Sequence, residues 1–78
     1  MKLLRVYPDS NNHFALPPGS YGKHPDGTWW FRPPGVGHSG PLAEHTITEH
    51  DDGTITVEPS ILTDDIHGYL IHGEWTAC

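Results

Sequence analysis

The sequence predicts an all-β fold, and three observations carry the prediction. Residues 44–50 and 54–58 alternate β-branched with polar types around Asp51-Asp52-Gly53. An aromatic run, Thr28–Arg32, is bracketed by Pro25-Asp26-Gly27 and Pro33-Pro34-Gly35. No stretch longer than about seven residues places apolar side chains at helical spacing. The expected architecture is one small domain over residues 1–78, an antiparallel meander of five or six short strands forming a curled sheet or small open barrel, with long Pro/Gly-rich loops.

The segment from Glu44 to Leu62 encodes a hairpin most directly. With a three-residue loop, Thr48 faces Thr56 and Ile47 faces Val57, so Ile47, Ile55 and Val57 share a core face. Gly53 supplies the positive φ that the last loop residue requires. Pro59-Ser60 is expected to end that strand, and Thr63-Asp64-Asp65 to form a solvated turn. Gly68–Ile71 and Glu74–Ala77 then flank His72-Gly73, a two-residue link suited to a tight hairpin, which sets Leu70 opposite Trp75.

The other half is loop-rich, since residues 8–43 hold seven of the eight prolines and six of the nine glycines. Lys2–Tyr7 and Thr28–Arg32 are the strand candidates there, and only the second interrupts the 8–43 span. Alternation puts Trp29 and Phe31 on one face of it and Thr28, Trp30 and Arg32 on the other.

Seventy-eight residues lie near the lower limit for a single core, burying only about 60% of the unfolded surface. The one cysteine, Cys78, excludes an internal disulfide and a four-cysteine zinc site. Arg5 and Pro8 interrupt the apolar start before a signal-peptide core forms, and no apolar run reaches membrane-spanning length, so a soluble, unexported chain is expected. The net charge of −6 is unevenly distributed: Lys2, Arg5, Lys23 and Arg32 are the only basic residues, and residues 34–78 hold eight acids with no Lys or Arg. Nucleic-acid binding through phosphate contacts is thereby disfavoured, and a basic protein partner fits the acidic half.

Seven histidines suggest metal or acid–base chemistry, but their spacing opposes both. His45 and His50 are five apart, as are His67 and His72, which on a strand sends each pair to opposite faces. A metal site therefore needs one ring from each pair plus a carboxylate, such as His45, His67 and Glu49 on neighbouring strands; otherwise the rings are surface imidazoles, and no metal or other cofactor is expected. Ser10, Ser20, Ser39 and Ser60 lie in turns without a nucleophile elbow, and the Asp pairs are turn formers, so no catalytic residue is expected. Gly35-Val36-Gly37-His38 lacks the Lys or helix of a phosphate loop. The aromatic residues give the functional lead. Trp30, beside Arg32, is the first candidate for an interface, with Tyr21 and Trp75 added; alternatively the 8–27 loop covers Trp30.

GTWWFRPP, HTITEHDDGTITVEPSIL and HGYLIHGEW together resemble a family of small uncharacterised phage and prophage proteins with a PSIL…HGYL…G-x-W signature, over residues 19–76. The resemblance implies a phage or prophage setting and an accessory role; with the aromatic face and the acidic half, the expectation is a non-enzymatic protein-binding or assembly module in the host cytoplasm or virion, with homo-oligomerisation a further expectation. Three alternatives to that function stand beside it: a virion surface or decoration component, an inhibitor of a host defence protein, and a small metal-binding domain. Related proteins with this pattern carry Cys and His pairs of metal-knuckle type, whereas Gly19 to Lys23 here contains no cysteine.

Overall fold

A computed structural model of the chain describes residues 1–63 and 66–78. It contains β1 (Leu4–Val6), β2 (Ser20–Lys23), β3 (Trp29–Arg32), β4 (Gly40–Pro41), β5 (Thr46–Glu49), β6 (Ile55–Thr63), β7 (Ile66–Ile71) and β8 (Glu74–Ala77). The class is all-β, and no helix among the described residues is long and apolar enough to cross a membrane. The strands form two four-stranded sheets, β1-β2-β3-β4 and β5-β6-β7-β8, neither closed into a barrel. The chain divides into two compact units, one of residues 4–43 and one of residues 1–3 with 44–78.

Eight strands in two sheets replace the five or six expected in one, and the difference lies in the loop-rich half. β2 has no alternation and contains Gly22, so nothing local marks it as a strand; pairing on both sides makes it one. β1 runs parallel to β2, with Leu4 opposite Ser20 and Val6 opposite Gly22, which departs from an antiparallel meander. β4 is two residues at a sheet edge, where Pro41 forfeits no ladder bond. Tyr21, Phe31, Leu16 and Leu42 are the buried apolar side chains of this unit.

The second unit follows the expected registers closely. Ile47 faces Val57, Thr48 faces Thr56 and Leu70 faces Trp75. Its core is Leu3, Ile55, Val57, Ile61, Leu70 and Trp75. His72 and Gly73 both have positive φ, at 48° and 75°, the conformation a two-residue turn needs to match strand twist. Pro59-Ser60 does not end β6, contrary to expectation. The strand continues to Thr63 because the β6–β7 register shifts between Val57 and Ile61, and this irregularity accommodates a proline that has no N–H to give the ladder. Asp64 and Asp65, assigned to a turn by sequence, lie outside the described residues.

The two units share a hairpin. Ser20 to Pro33 and Thr46 to Pro59 align without a gap at a spacing of 26 residues (Ser20 against Thr46), with His, Asp, Gly, Thr and Pro recurring at His24/His50, Asp26/Asp52, Gly27/Gly53, Thr28/Thr54 and Pro33/Pro59. Registers correspond pair for pair: Ser20 opposite Arg32 as Thr46 opposite Glu58, Tyr21 opposite Phe31 as Ile47 opposite Val57. Each turn is built alike. Asp26 Oδ1 accepts from the Thr28 amide at 2.9 Å and hydroxyl at 2.6 Å, and Asp52 Oδ1 accepts from Thr54 at the same two distances. The His24 amide donates to Thr28 O at 2.7 Å and the His50 amide to Thr54 O at 2.8 Å, while Gly27 and Gly53 take φ of 94° and 87°. H-x-D-G-T is thus one turn design used twice: an acceptor two residues before the threonine, and glycine where φ is positive.

Candidate functional site

The candidate site is assembled on the outer face of the β5–β8 sheet. Alternation along β7 buries Gly68 and Leu70 and turns His67, Tyr69 and Ile71 outward. Leu62 stands opposite His67 on the same face. Leu62, Tyr69 and Ile71 are 68%, 45% and 52% exposed, a large apolar surface for so small a unit. Thr56, Val57, Glu58, Pro59 and Ser60 of β6 join Tyr69 and Ile71 around an open groove of about 400 Å³, at the place where the register shifts. Glu58 is the one carboxylate lining it and has no ion-pair partner among the described residues. Its position therefore suits a basic group.

Three histidines attach to this face through hydroxyl and carbonyl oxygens. His45 Nε2 lies 3.3 Å from Ser60 O, and because a carbonyl only accepts, Nε2 carries the proton there. Its Nδ1 is buried without a partner. His67 Nε2 lies 3.2 Å from Ser60 Oγ, so the two rings proposed as metal ligands do meet at one serine. Glu49 does not join them, being four residues along β5 from His45, about 13 Å at strand rise. Among the described residues no three His, Cys, Asp or Glu side chains come together as metal ligands. At the opposite end of the sheet, His50 Nε2 lies 2.7 Å from Thr56 Oγ1, which also accepts from the His72 amide at 3.0 Å.

Asp26 and Asp52 have carboxyls held below the ordinary aspartate value, chiefly by the hydroxyls and then the amides of Thr28 and Thr54. These shifts belong to the turns and mark no acid–base pair.

The interface residues expected from sequence separate. Tyr21 is 1% exposed and Trp75 is 7% exposed, so both belong to cores and neither presents a contact surface. Each aromatic ring is more valuable buried, because packing against Phe31 or Leu70 across the ladder removes most of its area from water. Arg32 is a structural tie: Nε donates to Val36 O at 2.9 Å and Nη1 to Leu16 O at 3.1 Å, fastening two loops to β3. Trp30 stays half-buried, its indole N–H donating to Thr28 Oγ1 at 2.9 Å, and it lines a shallow pocket with Phe14, Leu16, His24 and Ser39.

Sequence reasoning missed the more exposed aromatic cluster of this unit. The Arg5 guanidinium lies 4.6 Å from the Tyr7 ring and 4.9 Å from the Trp29 ring, and Lys23 Nζ lies 5.9 Å from Trp29. Only the pairing of β1 with β2, and of Lys23 with Trp29 across β2 and β3, brings these four together. The groove was missed for a related reason: it forms where the β6–β7 register shifts, and nothing local to either strand marks that shift. No protein-family model, curated protein or solved structure matches this chain.

Proposed function

We propose that the chain is a small non-enzymatic module that binds a protein partner through the outer face of the β5–β8 sheet. The observation that carries this reading is the exposed pair Tyr69 and Ile71 lining the β6–β7 groove, with the exposed Leu62 on the same face. An apolar surface of this kind, with an aromatic ring and hydroxyls at its rim, fits the composition of interface centres. Charge adds direction. Eight acids and no Lys or Arg in residues 34–78, with Glu58 in the groove, favour a partner that presents basic residues around an apolar contact. The half-buried Trp30 and the Arg5–Tyr7–Trp29–Lys23 cluster offer a second surface on the other unit.

The non-enzymatic reading is supported by the one serine–histidine contact of the site. Ser60 and His67 touch, but among the described residues nothing further hydrogen-bonds His67 to orient it as a base. An accessory role in a phage agrees with the resemblance carried by PSIL, HGYL and G-x-W. The test is affinity capture from a bacterial host lysate with the intact chain, a Tyr69→Ala/Ile71→Ser variant and Trp30→Ala. A partner held by the intact chain and released by the double variant supports the outer face; release only by Trp30→Ala transfers the contact to the other unit.

A further inference from the structure

The duplicated hairpin supplies an internal template for what covers the edge of β5. In the first copy β2 is paired on both sides, by β3 and by β1, and Ser20, Tyr21 and Gly22 are buried. In the second copy the equivalent strand β5 pairs with β6 alone, leaving Thr46 and Thr48 exposed and Ile47 half-exposed. The far edge of the same sheet is covered, since the Leu3 amide donates to Gly73 O at 2.9 Å and the Trp75 amide to Met1 O at 2.7 Å. Among the described residues, β5 is the edge of this sheet that nothing pairs with.

We propose that the outer edge of β5 is a docking edge for an extended segment of a partner protein, added parallel to β5 as β1 is added to β2. The inference rests on the reading that the chain binds protein, and it adds a backbone-directed site to the side-chain groove. The occupant's chemistry follows from the template and the charges. Leu4, Arg5 and Val6 lie opposite Ser20, Tyr21 and Gly22, whose counterparts are Thr46, Ile47 and Thr48. Residues 34–78 hold eight acids and no Lys or Arg, so a segment that keeps the template's order, a basic residue between apolar ones as in Leu4-Arg5-Val6, is favoured. One difference sets the geometry. A Cβ at Gly22 would collide with Val6 O and the Phe14 ring, whereas Thr48 stands at that place in β5. The occupant must therefore leave room for the Thr48 side chain, which the template strand does not have to do at Gly22. Main-chain bonds then supply affinity and the flanking side chains supply selectivity.

The probe is a capped hexapeptide with the sequence of residues 2–7, Lys-Leu-Leu-Arg-Val-Tyr, added to the intact chain while amide hydrogen exchange is followed by NMR. Exchange at Ile47, whose amide points away from β6, should slow by roughly tenfold at saturation, because a new ladder bond closes the edge. A peptide N-methylated within Leu-Arg-Val should bind roughly tenfold more weakly, as should one with Arg5→Glu. The same protection should persist in the Ile71→Ser chain, which separates this edge from the groove. Unchanged exchange at Ile47 at millimolar peptide overturns the proposal. So does protection confined to Tyr69 and Ile71, which leaves the protein-binding reading standing. Protection of Ile47 that rises with protein concentration in the absence of peptide also overturns it, by making a second copy the occupant.

Discussion

His50 and His72 stack face to face, with ring centroids 3.7 Å apart and planes within 10°. They come from different hairpins, His50 opening the H-x-D-G-T turn after β5 and His72 opening the two-residue turn after β7. The Gly73 amide donates to Ile55 O at 2.9 Å beside them, so the two turns are joined by backbone as well as by rings. The counterpart of His50 in the other unit behaves differently: His24 meets Phe14 edge-on at 5.6 Å, and its Nδ1 accepts from the Asp26 amide at 3.2 Å. One turn design thus serves two packing arrangements.

Thr56 is the shared support of the stack, since one hydroxyl oxygen meets both His50 Nε2 and the His72 amide. Thr56→Val keeps the β-branched shape and removes both contacts, and the expected loss is about 1–2 kcal/mol by urea unfolding. Thr56→Ser should recover most of it. Equal urea midpoints for the valine variant and the parent would mean the hydroxyl is replaced by water without cost.

The two turn aspartates predict an acid limb of stability. Their folded pKa values lie below the ordinary value of 3.8, so each contributes stability that is fully present above its unfolded pKa and is lost as pH falls through the folded pKa. Thermal midpoints should be level near neutrality and fall below about pH 4. Because both carboxyls are exposed, the effect is modest, and Asp26→Asn with Asp52→Asn should flatten the limb. A limb of unchanged steepness in the double variant would assign it to other acids.

Gly68 is needed for lack of a side chain. A Cβ there would lie 2.5 Å from Thr76 O and 2.7 Å from the Trp75 ring, and neither a ladder carbonyl nor a buried indole can move freely. Gly68→Ala should therefore destabilise by about 1–3 kcal/mol. Gly37, where a Cβ meets nothing within 4 Å, is the control, and Gly37→Ala should leave the urea midpoint nearly unchanged. Similar midpoints for the two variants would refute the close approach of β7 and β8 at this point.

Legibility in the sequence followed locality. Ile47, Thr48, Thr56 and Val57 could be paired in advance because turn chemistry and alternation both lie within one hairpin, and Leu70 with Trp75 likewise. The parallel pairing of Leu4–Val6 with Ser20–Gly22 spans a proline-rich loop and leaves no periodic trace. Tyr21 looked like a surface anchor by residue type, and only its pairing with Phe31 puts it in a core; Trp75 was paired with Leu70 in advance, but which face of that hairpin is covered depends on packing beyond it. Pro59 resembled a terminator because a regular strand cannot use it, while the register shift that absorbs it depends on β7. The 26-residue spacing was present as His24-Pro25-Asp26-Gly27-Thr28 against His50-Asp51-Asp52-Gly53-Thr54, five residues too few to stand out until the ladders were compared.

The most direct measurement of the binding claim is a calorimetric titration of the captured partner with the intact chain and with Ile71→Ser, a residue half-exposed on the outer face and outside the core. The account predicts that Ile71→Ser weakens binding by roughly tenfold or more while its unfolding midpoint stays within the range of a surface substitution. Equal affinity of the two chains for that partner would contradict it.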